Sequence, residues 1–91
     1  MVRPFCKRIV NGKPKAVYFK PAGIPMRFIG ELALSLDEFE AIRLADYEGL
    51  YQEEAARKMG ISRPTFSRII ESARKKVADA IVNGKALRIN T

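Results

Sequence analysis

Histidine and tryptophan are absent from the 91 residues, and cysteine occurs once, at Cys6. Without histidine and with a single thiol, one chain cannot assemble an ordinary zinc site, which asks for Cys and His ligands in numbers. A lone cysteine also excludes an internal disulfide, which fits a reducing, cytoplasmic setting and leaves Cys6 only an intermolecular redox role. No apolar run approaches the roughly 20 residues of a membrane span, and the basic N-terminus lacks the apolar stretch of a signal peptide. Catalysis loses its usual groups in the same step. There is no imidazole base, no phosphate-binding glycine loop, and no base close in sequence to Cys6, so neither an enzyme nor a cofactor is expected.

What the chain does have is positive charge. Seventeen Lys and Arg stand against ten Asp and Glu, a net +7, which favours a polyanionic partner, nucleic acid before an acidic membrane. Residues 1–30 carry seven bases and no acid, residues 31–61 eight acids and three bases, and residues 62–91 seven bases and two acids. Two basic ends therefore flank an acidic middle, and they can meet one polyanion only if folding brings them to one side. With 47% apolar residues the length suffices for one core.

The pentapeptide IVNGK occurs at Ile9 to Lys13 and again at Ile81 to Lys85. The first copy lies between two extendable stretches, and Asn-Gly suits a type I′ turn, so a two-residue β-hairpin is expected, with an extended basic arm as the alternative. Pairing Val10 with Lys13 would set Phe5, Lys7, Ile9, Pro14, Ala16 and Tyr18 on one face and the basic Arg8, Lys13 and Lys15 on the other. Pro14 lacks a donor N–H, which restricts that strand to an edge. Two prolines and a glycine in KPAGIP imply an extended linker, and Arg27 to Leu34 suits either a strand or a short helix.

Three helices follow. Ser35 and Glu38 have the form of a capping box opening a helix that Gly49 ends. A short helix spans about Gln52 to Met59, with Glu53 and Glu54 in its first turn, where the helix dipole favours anions, and Gly60 beyond it. Ser62 is a good N-cap for a third helix, with Pro64 in its first turn, running some 20 residues to about Val82. There the second Asn-Gly reads as a helix stop, with glycine free to adopt positive φ. The repeat is thus one peptide with two uses, not a duplicated unit.

Gln52 to Glu71, QEEAARKMGISRPTFSRIIE, meets the demands of a helix-turn-helix. Ala56 is small where the second helix crosses, and Gly60 takes the turn. Ala55, Met59, Ile61, Phe66 and Ile69 are apolar where the wedge between the helices must be buried. On the third helix Phe66, Ile69, Ile70, Ala73, Val77, Ala80 and Ile81 share an arc of about 120°, with Pro64, Ser67, Arg68, Glu71, Ser72 and Lys75 opposite. This outward side is the expected DNA-reading surface. Arg68 can grip guanine O6 and N7 with its guanidinium fork, and Ser67 can reach a base edge or phosphate. Ser62, Arg63 and Thr65 stand near the helix N-terminus, where phosphate is favoured. Ser72 and Lys75 continue the surface, Arg74 and Lys76 could follow phosphate as the helix leaves the groove, and Glu71 is expected to pair with Lys75. Lys7, Arg8, Lys13 and Lys15 would hold phosphate from the arm. The apolar stripe is expected as core, with a dimer seam as the alternative.

The runs YFKPAGIP, LDEFEAIRLAD, EEAARKMGISRPTFSRI, ARKKVADAI and NGKAL together resemble domain-of-unknown-function family 134, small prokaryotic proteins described as predicted DNA-binding proteins. The second half is also similar to region 4 of sigma-70 factors, and that likeness implies DNA-facing positions at Arg63, Pro64, Thr65, Ser67 and Arg68. Pro64 and Ser67 replace residues usually charged in sigma factors, so promoter −35 specificity does not carry over. Some relatives resemble fusions to a domain similar to those that bind iron-molybdenum cofactor precursors; these 91 residues contain no such part.

The expectation is a mainly α protein: a three-helix helix-turn-helix domain over residues 35–91, its third helix long, with a basic hairpin or arm and Pro-rich linker over residues 1–34 packed on the same unit. Its expected role is sequence-specific binding of double-stranded DNA in transcription regulation, alone or as a homodimer. The alternative is an adapter docking on RNA polymerase or a sensor protein through the acidic first helix around Glu38 and Glu40. An RNA partner, with Phe5, Tyr18 and Phe19 stacking on bases, is the weaker alternative.

Overall fold

A computed structural model describes residues 8–91, and the mainly α architecture is present in it. Helices α1 (Leu36–Ile42), α2 (Gln52–Met59) and α3 (Arg63–Asn83) form the body, and a small sheet of β1 (Tyr18–Phe19), β2 (Glu31–Leu34) and β3 (Ala86–Ile89) packs on it. Strand β3 is central, antiparallel to β1 and parallel to β2. A parallel neighbour needs a long crossover, and here all three helices supply it. The stretch from Arg27 to Leu34, expected as either a strand or a short helix, holds some of each: the end of a 3-10 turn at Met26–Phe28 and then β2.

The helix ends follow the capping chemistry. Ser35 and Glu38 make the reciprocal capping box of α1, the Ser62 hydroxyl accepts the Thr65 N–H at the start of α3, and Gly60 and Gly84 close α2 and α3 at φ of 69° and 65°. Helix α1 runs on into a π-helical turn, Arg43–Tyr47, in which the Glu48 N–H reaches the Arg43 carbonyl at 2.9 Å. Wider turns of this kind are often found at functional sites; this one presents Arg43 to two carboxylates.

One core cluster joins Ala41 and Leu44 to Ala55, Ala56, Met59, Phe66, Ile69 and Ile70; a second joins Leu34, Ala73 and Ile89, with Leu36 and Phe39 against it. The stripe of α3 is therefore interior, as its core reading required, except at its end. Ile81, at the edge of the arc, is 76% exposed although its neighbour Ala80 is buried.

Among the described residues no hairpin forms, and the extended arm takes its place. Residues 8–17 contain no strand, and Gly12 is not among the glycines at positive φ. The Asn11 and Gly12 N–H groups instead donate to the two carboxylate oxygens of Glu40, each at 3.1 Å. Phe5, Cys6 and Lys7 lie outside the described residues. Strand β3 has no counterpart among the sequence expectations.

Candidate nucleic-acid interface

The helix-turn-helix is built as its spacing demands. Ala55, Ala56, Met59 and Phe66 are buried, and the turn is held by Gly60 N–H to Arg57 and Ile61 N–H to Ala56, both 3.1 Å. A larger residue at Ala56 would push the two helices apart, since interiors are packed without spare volume.

On the far side of α3, Ser62, Arg63, Pro64, Arg68, Ser72 and Lys75 are exposed, while Thr65 and Ser67 are half-buried. Arg63, Arg68 and Lys75 make no ion pair among the described residues. Two hydroxyls have other work. Ser62 accepts from the Thr65 N–H and donates to the Thr65 hydroxyl at 2.9 Å, and Ser72 donates to Glu38 at 2.5 Å. Their roles are first a helix cap and a tie to α1. The expected Glu71–Lys75 pair is absent from the ion pairs of the described residues, and both side chains line an open depression with Arg68 and Ser72.

The bases of α3 divide by what they meet. Arg74 grips Asp46 with Nη2 at 2.6 Å and Nε at 3.2 Å, and Lys76 binds Glu38 at 2.9 Å and the Ala33 carbonyl at 2.7 Å. Both are paired within the fold, Arg74 with the π-helical turn after α1 and Lys76 with α1 and β2. Lys75 projects between them into solvent.

The arm delivers one of its bases to this surface. Arg8 Nε lies 3.4 Å from Asp37, in a 330 Å³ cleft lined also by Thr65, Arg68 and Ser72. Lys13 and Lys15 are exposed and make no ion pair among the described residues. Lys7 lies outside them.

The acidic middle is largely consumed internally. Glu40 is fully buried and Glu38 is 7% exposed. Burial opposes ionisation of Glu40 more than any single contact favours it, yet the hydrogen bonds from Arg43, Asn11 and Gly12 together hold its carboxyl below the ordinary range. Glu38 behaves alike, with burial outweighed by Ser72, Lys76 and the Ser35 N–H. Among the described residues, no group of three or more His, Cys, Asp and Glu side chains is placed to hold a metal, and no helix is long and apolar enough to cross a membrane.

The family comparison agrees with the resemblance carried by the motifs. Protein of unknown function DUF134 matches residues 1–91. The chain belongs to this family. A UPF0251 protein of Moorella thermoacetica is 58% identical over 86 residues, covering 94% of this chain and 57% of that protein. A UPF0251 protein of Thermoanaerobacter pseudethanolicus is 57% identical over 89 residues, covering 98% and 75%, and one of Halothermothrix orenii 59% over 88 residues, covering 97% and 65%. The chain thus spans between about half and three quarters of the length of these relatives. No solved structure matches.

This DUF134 chain also holds geometry that residue types alone did not flag. Glu40 joins the arm to α1 over 28 and 29 residues of sequence, and the Ile9 N–H donates to the Met59 carbonyl at 2.9 Å, fastening the arm across the turn of the helix-turn-helix. The only sequence signal was an acid at Glu40 within the apolar periodicity of α1.

Proposed function

We propose that the chain binds double-stranded DNA in a sequence-specific way, inserting the N-terminal half of α3 into the major groove, and that it acts in transcription regulation. The observation that carries this reading is a segregation of charge. Most acids of the middle segment are paired or buried, whereas Arg68 and Lys75 stand exposed along one side of the second helix of a helix-turn-helix and Arg63 is exposed at its N-terminus. Arg68 would read guanine through a bidentate contact. Arg63, Lys75 and the arm residue Arg8 would neutralise phosphates, fixing register without specifying sequence.

The adapter reading loses the surface it drew on, since Glu38 and Glu40 are interior and already bonded. Selection of bound sites from random duplexes tests the proposal. A recurrent motif containing a guanine whose preference disappears in Arg68→Ala is expected. Recovery of unenriched sequence, or of a motif that the variant leaves intact, would contradict it.

A further inference from the structure

The most heavily bonded side chain among the described residues belongs to no part of the reading surface. Glu40, with no exposed area, accepts Nε and Nη2 of Arg43 at 2.8 and 2.7 Å and the successive N–H groups of Asn11 and Gly12 at 3.1 Å each. Successive backbone N–H groups make an anion-binding concavity, and here the anion comes from the protein itself. Arg43 also holds Glu48 at 2.8 Å, so it is fixed from two directions. A Cβ on Gly12 would collide with the Arg43 side chain, so only glycine allows the arm so close to α1.

The grip sits three residues beyond Arg8. Between the two, Ile9 is fixed by its bond to Met59 and by its side chain, which lies 3.3 Å from where a Cβ of Gly60 would stand. The arm is thus tied at two consecutive points, and Arg8 emerges into the cleft shared with Thr65, Arg68 and Ser72. Its partner there, Asp37, is itself partly exposed and 3.4 Å away, a weak surface pair that a phosphate can displace.

We infer that Glu40 is a positioning residue for DNA binding: by gripping the Asn11 and Gly12 amides it holds the arm across the helix-turn-helix so that Arg8 meets a phosphate beside the base pair read by Arg68. This rests on the proposed function above, and adds to it a long-range restraint that converts a loose basic segment into a preordered one. Preordering matters because an arm that must be ordered on binding gives up part of its contact energy to conformational entropy.

The test compares wild type, Glu40→Gln, Gly12→Ala and an arm-neutral chain (Arg8, Lys13 and Lys15 each changed to Gln) in duplex binding across salt concentrations. Gly12→Ala is the safeguard should Glu40→Gln fail to fold, since it displaces the arm while leaving the Glu40 carboxylate in the chain. Each latch variant is expected to bind roughly threefold to tenfold more weakly, with the salt slope reduced by about one for each phosphate left unneutralised. In the arm-neutral background Glu40→Gln and Gly12→Ala should cost nothing further, a result that general destabilisation would not give. Loss of amide protection at Asn11 and Gly12 with an unchanged salt slope would overturn the inference, as would equal losses in both backgrounds. Failure of wild type to bind any duplex would instead overturn the proposed function, and this inference with it.

Discussion

The charges of α1 and those of the first half of α3 make opposite use of the same chemistry. On α1 and the turn after it, Glu38, Glu40, Arg43 and Asp46 are committed to partners within the fold, across to Lys76, Asn11, Gly12 and Arg74. At the start of α3 Arg63, and on its outer side Arg68 and Lys75, are exposed to solvent. The difference teaches that a net charge of +7 does not say where charge lies, since acids of the middle segment are held in ion pairs within the fold while Arg63, Arg68 and Lys75 are exposed. It also separates what should break the fold from what should break binding.

The largest expected effect is on the inward side. Glu40→Ala leaves the Asn11 and Gly12 N–H groups and two donors of Arg43 without their acceptor, Glu48 still holding the guanidinium, and each buried donor left unsatisfied costs about 1 to 3 kcal/mol. The denaturation midpoint should fall steeply, or the chain should not fold. On the outward side, Arg68→Ala should leave that midpoint unchanged while weakening binding to a selected duplex by about 1 to 3 kcal/mol and relaxing preference at one base pair. If the two variants exchanged phenotypes, the division between the regions would be wrong.

Acid should likewise act on one region. The Glu38 and Glu40 carboxyls lie below their ordinary value of 4.5 in the folded chain. A depressed carboxyl contributes stability that is present above its unfolded value and is lost as pH falls through the folded one. Stability measured by denaturation should therefore decline below about pH 4.5, with a shallower decline in Glu38→Gln; equal slopes for the two chains would count against the buried-carboxylate account.

The finest comparison lies within α3. Arg74 and Lys75 are adjacent, yet Arg74 is tied to Asp46 and Lys75 is not. Lys75→Ala should weaken duplex binding and lower the salt slope by about one. Arg74→Ala should leave the slope unchanged and alter stability by about 0 to 1 kcal/mol, as surface pairs do. Parallel titrations across salt would expose any reversal.

Local rules were legible where the residues that obey them are near one another. Ser35, Gly60, Ser62 and Gly84 cap helices through bonds that span a few residues, and the helix-turn-helix spacing from Ala55 to Ile69 fixes its own wedge. Apart from the local Glu71–Lys75 pair, the misreadings involve distant partners. Asn11-Gly12 has the residues of a hairpin turn, but a carboxylate 28 residues away takes its amides. The same two letters at Asn83-Gly84 meet no such competitor and end α3 as expected. Strand β3 was missed because four residues, ALRI, become a strand only beside β1 and β2. Glu38 and Glu40 looked like an acidic surface because burial of an acid depends on Lys76, Ser72, Arg43 and the arm, none of which periodicity can supply. The candidate reading residues were legible as a helix face and Ser62 as a cap, while the tie of Ser72 to Glu38 was not.

The central claim is that the outer side of α3, from Ser62 to Lys75, is what meets DNA. A titration of isotope-labelled protein with a selected duplex, followed by amide and arginine side-chain NMR shifts, tests it most directly. The account predicts the largest changes at Arg63, Thr65, Ser67, Arg68 and the Arg68 guanidinium, smaller ones at Arg8, and none at Ile81, Val82 and the sheet. Saturable binding that moves the sheet or the exposed Tyr47 and Tyr51 while leaving Arg63 to Arg68 unshifted would contradict it.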